Sequence, residues 1–261
     1  MTAERQPALF IGHGSPMNAL EDNALTRSWT ALGRKIPRPR AILVVSAHWE
    51  TKGVMVTGAE HPRTIHDFHG FPQALYDIRY PAPGDPALAK AIETRLAAFR
   101  ARADLDGWGY DHGTWSVLKF LFPQADVPTL QLSLDLRRTP AEHYEIGQAI
   151  AGLRDEGVLI VGTGNIVHNL QLYNPRSSAP LPWAQSFDAA VARRIEARDH
   201  ASLIDYLAIG PEAALAVPEP DHYLPLLYVL ATQREDERAS VFNELVTGSL
   251  SMTSAAVGVA A

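Results

Sequence analysis

Three short runs decide what this chain can fold into. Ala8-Leu9-Phe10-Ile11, Ala41-Ile42-Leu43-Val44-Val45-Ser46 and Gly157-Val158-Leu159-Ile160-Val161 carry no charge and no polar/apolar alternation. Each is short, and each leads into glycine or small polar residues, which reads as a strand buried on both faces. Such a strand needs helices above and below it, and the intervening segments supply them. Helical stretches are predicted at 23–35, 85–101, 139–153, 182–198 and 221–232. The first stops at Ile36 because Pro37 disfavours helix in the residue before it. Pro86 sits in a first turn, where its missing N–H costs nothing, and Thr139 supplies an N-cap. Further strands are expected at 53–57 and 127–132, with terminal strands near Val241-Phe242 and Ser249–Met252. The fold class is therefore α/β: a single domain over residues 1–261, with a central, mostly buried sheet flanked by helices on both faces. Residues 61–84 hold three histidines and four prolines and read as a long ordered loop, the kind that serves as a lid or binding element.

The bulk properties exclude several functions. A formal net charge of −6 gives no basic field for nucleic acid, and Pro37-Arg38-Pro39-Arg40 is the one basic run. The absence of cysteine removes disulfides, thiolate metal sites and cysteine nucleophiles together. The first residues lack an apolar signal core, and no apolar run approaches membrane-spanning length. The expectation is a soluble cytoplasmic protein with neither a nucleic-acid nor a membrane partner, as a monomer or small homo-oligomer.

Chemistry concentrates in the ten histidines. His13, His48 and His168 each lie just beyond the C-terminal end of a predicted buried strand, the edge where open α/β sheets bind ligands. His112 and His222 each precede a predicted helix. Neutral imidazoles converging on one edge, with no thiolate available, suit Zn(II) or Fe(II). No HExxH-type spacing accompanies them, and a loop histidine is also an ordinary surface residue. The glycine pairs Gly12/Gly14 and Gly162/Gly164 fit tight turns or close packing as well as a site. Gly162-Thr163-Gly164 lacks the remaining features of a phosphate loop. His143, beside Glu142 and Glu145, and His200 are expected to be solvated. His61, His66 and His69 are expected on a surface loop that could touch substrate. Asp111 either orients the His112 ring or caps the helix after it. No Gly-x-Ser-x-Gly elbow anchors a serine hydrolase.

Taken together, Gly12-His13-Gly14-Ser15-Pro16-Met17-Asn18, Ser46-Ala47-His48-Trp49, Ile65-His66-Asp67-Phe68-His69-Gly70-Phe71-Pro72, Tyr80-Pro81-Ala82-Pro83-Gly84, Tyr110-Asp111-His112-Gly113, Gly164-Asn165-Ile166-Val167-His168-Asn169-Leu170 and Asp221-His222-Tyr223-Leu224-Pro225-Leu226 resemble the class III extradiol ring-cleavage dioxygenases, and within them the 4,5-DOPA dioxygenase branch. The resemblance runs nearly end to end. It implies a non-haem Fe(II), with Zn(II) able to occupy the same site, and as substrates O2 and a catechol such as L-DOPA. It implies His13, His48 and His222 as metal ligands, and His168 as either a fourth ligand or the acid/base catalyst. His112 is implied as a catalytic histidine facing the substrate, with Ser15 and His69 as further substrate contacts. Arg63 and Arg79 are candidates for a substrate carboxylate. Two other functions compete: a zinc-dependent hydrolase using a metal-bound water, and a non-enzymatic binding protein like the Memo-type relatives of the fold, since fold alone does not decide function.

Overall fold

The computed structural model describes residues 4–105 and 107–259. Its strands are β1 (Ala8–Gly12), β2 (Ala41–Glu50), β3 (Met55–Thr57), β4 (Arg102–Asp104), β5 (Thr129–Leu134), β6 (Val158–Gly164), β7 (Ala239–Phe242), β8 (Val246–Thr247), β9 (Leu250–Ser251) and β10 (Ser254–Val257). The α-helices are α1 (Ala24–Lys35), α2 (Gln73–Tyr76), α3 (Pro86–Arg95), α4 (His112–Leu121), α5 (Pro140–Ile150), α6 (Pro182–Glu196), α7 (His200–Ile204), α8 (Ala213–Ala216) and α9 (Leu224–Ala231). One eight-stranded sheet runs in the order β4-β3-β5-β2-β6-β1-β10-β7, and β8 and β9 form a separate hairpin. The centre, β5-β2-β6-β1, is parallel. Toward one edge β10 and β7 are antiparallel to their neighbours.

The period of two in the central strands builds two cores. Ala8, Phe10, Leu43, Val45, Val158 and Ile160 face one side, with α5, α6 and α9. Leu9, Ile11, Ile42, Val44, Leu159 and Val161 face the other, with α1 and α4. Every one of these strand residues is fully buried, so the apolar runs carry no alternation because both faces are core. Burying a Leu or Ile side chain of this kind contributes about 1.5–3 kcal/mol.

The elements depart from the sequence expectations at the periphery. The helix expected through residue 101 ends at Arg95; a 3-10 turn at Ala97–Phe99 and the edge strand β4 follow. The loop over 61–84 contains the short α2, and α7 and α8 fill a stretch with no predicted element. The expected strand at 249–252 is the hairpin strand β9, and the chain re-enters the main sheet only afterwards, as β10. Among the described residues, no helix is long and apolar enough to cross a membrane.

Candidate active site

Adjacent strands β1, β6 and β2 deliver their C-terminal ends to one edge of the sheet. His13 follows β1 directly, and its N–H donates to Gly164 O at 3.1 Å. His48 lies inside β2 rather than beyond it, within an irregularity in register between Val45 and Glu50. A break of that kind re-aims the side chains it carries. From the end of β6, residues 165–169 form a strap stitched to its surroundings. The His168 N–H donates to Ala216 O at 2.9 Å, Asn169 N–H to Ser249 O at 3.1 Å and Ser251 N–H to Val167 O at 3.0 Å. His222 arrives just before α9. Its carbonyl accepts from Asn165 N–H at 2.9 Å, and a Cβ on Gly164 would lie 2.1 Å from that same oxygen. The glycine after the strand therefore makes room for the backbone of His222.

Five of the ten histidines meet here. The Nε2 atoms of His13 and His48 face each other at 3.0 Å. The His48 and His112 ring centroids are 4.0 Å apart, and His222 is 4.9 Å from His48 and 5.6 Å from His13. His168 stacks on His222 at 3.5 Å with the planes 7° apart. These five line a cavity of about 730 Å³ together with Ser15, Phe71, Asn165, Tyr173 and Glu219. Ligand atoms of His13, His48 and His112 lie within 4.8 Å of one another, as do those of His168, Asp221 and His222.

Two carboxylates set the tautomers. His222 Nδ1–H donates to Asp221 Oδ2 at 2.6 Å, which leaves its Nε2 lone pair free. The Nδ1–H of His112 donates to Asp67 Oδ2 at 2.9 Å, and the backbone N–H of the same residue donates to Asp67 Oδ1 at 2.8 Å. Asp67 Oδ2 is also 3.7 Å from His48 Nδ1. Burial pushes the Asp67 and Asp221 carboxyls up, but their histidine partners more than offset this and hold both below the usual range. Burial, reinforced by the neighbouring imidazoles, depresses His13 and His48 far below the ordinary histidine value. His168 is lowered to about 3, by burial and then by His222. Histidines kept neutral in this way are the form that ligates metal. The donor set fits a divalent ion: tetrahedral ligand nitrogens about 2.0–2.1 Å from a metal are about 3.3 Å apart, close to the His13–His48 separation. His13 Nδ1 is buried without a partner among the described residues, so none of them fixes this ring in a tautomer that would block Nε2.

The remaining expectations divide. Ser15 lines the cavity, while His69 is exposed and is not among the lining residues; Phe71, two positions on, is. Arg63 Nη2–H donates to Gly107 O at 2.9 Å, and Arg79 Nη1–H donates to Tyr76 O and Ile78 O, so neither faces the cavity. His143 is buried, not solvated, against the Tyr228 hydroxyl at 2.9 Å. His200 is half-buried between Tyr144 and Gln233. Asp111 caps α4 and accepts from Ser46 and Gln131. The carboxylate that orients His112 is Asp67, unassigned from the sequence although it stands between two histidines in His66-Asp67-Phe68-His69.

The comparisons with known proteins agree with this geometry. Residues 7–259 match the family model described as the catalytic LigB subunit of aromatic ring-opening dioxygenase. The chain is 49% identical to a 4,5-DOPA dioxygenase extradiol of Escherichia coli, over 99% of this chain and 97% of that protein. It is 36% identical to the Beta vulgaris protein of the same name, over 92% of each. The crystal structure of an uncharacterized E. coli protein superposes with a TM-score of 0.85 and 44% identity, covering 97% of this chain and all of that one. This chain belongs to the LigB family of aromatic ring-opening dioxygenases.

Proposed function

We propose that the protein is an extradiol catechol dioxygenase of the 4,5-DOPA type, which opens the ring beside the diol and incorporates both atoms of O2 to give a muconic semialdehyde. The observation that carries this is the convergence of five histidines on one cavity, two of them with Nδ1 held by carboxylates. His13, His48 and His222 would hold the metal through ring nitrogens. A divalent iron, when bound, supplies the electron transfer between catechol and O2 that the closed-shell ring cannot accomplish alone.

The protein's part is to position and to move protons. His112, with Nδ1–H given to Asp67, presents an Nε2 lone pair that accepts from a catechol hydroxyl. No hydrogen-bond partner of the His168 ring is found among the described residues and the ring lines the cavity, so its nitrogens are free to take the proton a chelating catechol must lose and to return it at ring opening. A single imidazole serving as base and then acid contributes about 10²–10⁴-fold in such reactions. Phe71 and Leu250 wall the cavity with apolar surface, which suits a planar ring.

The test is aerobic turnover of L-DOPA and simple catechols by apo protein reconstituted separately with Fe(II) and Zn(II). Yellow product with Fe(II) alone is expected. No turnover with either metal, despite stoichiometric metal binding, overturns the proposal in favour of a zinc hydrolase or a binding protein.

A further inference from the structure

We infer that the cavity selects catechols whose side chain carries a positive charge, and that Glu219 is the group that meets the cation. The inference rests on the ring-cleavage function proposed above and names its substrate class. The cavity has a buried end and an open one. His13, His112 and His222 are 1%, 7% and 5% exposed, whereas the lining residues Leu170 and Tyr173 are 61% and 39% exposed. A catechol held by its diol among the histidines points its side chain outward, toward Leu170, Tyr173 and Glu219.

At that rim the charge is of one sign. Among the described residues lining the cavity there is no lysine or arginine, while Asp221 and Glu219 are both present. Asp221 is spent on His222, and Asp67 on His112. Glu219 is exposed and has no cationic partner within 4.0 Å among the described residues. Arg63 and Arg79, the candidates for a substrate carboxylate, are turned to backbone carbonyls elsewhere. An ammonium at the rim finds the Glu219 carboxylate and, on the same lining, the aromatic ring of Tyr173, a combination of charge and aromatic surface that suits a cation. A carboxylate there finds only like charge.

The experiment compares dopamine with 3-(3,4-dihydroxyphenyl)propionate on the Fe(II)-loaded enzyme. Anaerobic calorimetric binding and aerobic kcat/KM are both measured, at low and high salt, on the native protein and on Glu219→Gln. Taking ratios between the two ligands cancels any loss of folded protein in the variant. The expected preference for dopamine is about tenfold at low salt, from one charge near the surface, shrinking with salt and falling to about threefold or less in Glu219→Gln. Equal affinity for the two ligands, or an unchanged ratio in Glu219→Gln, overturns the inference. A binding preference without turnover of either ligand or of L-DOPA supports the charge selection and overturns the ring-cleavage function. Neither preference nor turnover overturns both.

Discussion

Gly164→Ala tests how His222 is brought to the site. The added Cβ would lie 2.1 Å from His222 O, where ordinary contact begins at 3.4 Å, so the two chains must part by about 1.3 Å. The obstacle is backbone, and the segment carrying it leads straight into α9. Overpacking of this kind costs about 1–3 kcal/mol. The Asn165 N–H to His222 O bond of 2.9 Å is lost as well, at about 1 kcal/mol. Together the loss is about 2–4 kcal/mol, which for a chain of this size lowers Tm by roughly 4–16 °C. Because the displaced residue is one of the three proposed metal ligands, affinity for Fe(II) or Zn(II) should fall with it. Scanning calorimetry with and without metal reads both effects. Gly152→Ala is the control, since its Cβ meets only the end of the Arg95 side chain, at 3.1 Å. A Gly164→Ala protein within about 2 °C of the native Tm, with native metal affinity, would refute the claim that this glycine seats His222.

Three further outcomes follow from the same geometry. His168→Ala should lower kcat by about 10²-fold or more while metal stoichiometry by elemental analysis stays at the native level; loss of the metal would make His168 a ligand. Asp67→Asn, which removes the acceptor holding His112 Nδ1–H, should cost about 10–100-fold in kcat/KM, and an effect under about twofold would show that the ring needs no such support. The buried His143 is lowered from 6.5 to about 4, by burial and then by Arg138, although Asp135 and Glu142 oppose the shift. The unfolded chain therefore binds the extra proton first, so the contribution of neutral His143 is complete above pH 6.5 and is lost as pH falls toward 4. It amounts to about 3 kcal/mol, and urea titrations across that window should show a shallower pH slope for His143→Gln; an equal slope would refute it.

What the sequence discloses follows from where its signals originate. β1, β2 and β6 were legible because burial on two faces leaves an unbroken apolar run, and β4 was not, because Arg102-Ala103-Asp104 at an edge has no such run. His143 looked solvated beside its acidic neighbours, yet α5 turns it onto Tyr228 of α9, a pairing set by helix packing and not by adjacent residues. The five site histidines could be named from their motifs. Asp67 could not, because a loop carboxylate that reaches a histidine 45 residues away leaves no local pattern. Nor did the motifs reveal that Gly164 serves the backbone of His222, since a glycine after a strand reads the same whichever neighbour crowds it.

The pairing of β1 also fixes when the site can exist during synthesis. Ala8 is bonded across the sheet beside Ile160 on one side and Val257 on the other. β1 thus waits for partners encoded about 150 and about 250 residues later. His13 rides on that strand, and the strap bearing His168 is stitched to Ser249 and Ser251. At about 5–20 residues per second of translation, the nascent chain spends many seconds with His13 and His48 made and no pocket to hold them. Any ion that these histidines hold would therefore be bound only after β10 has been made and paired with β1.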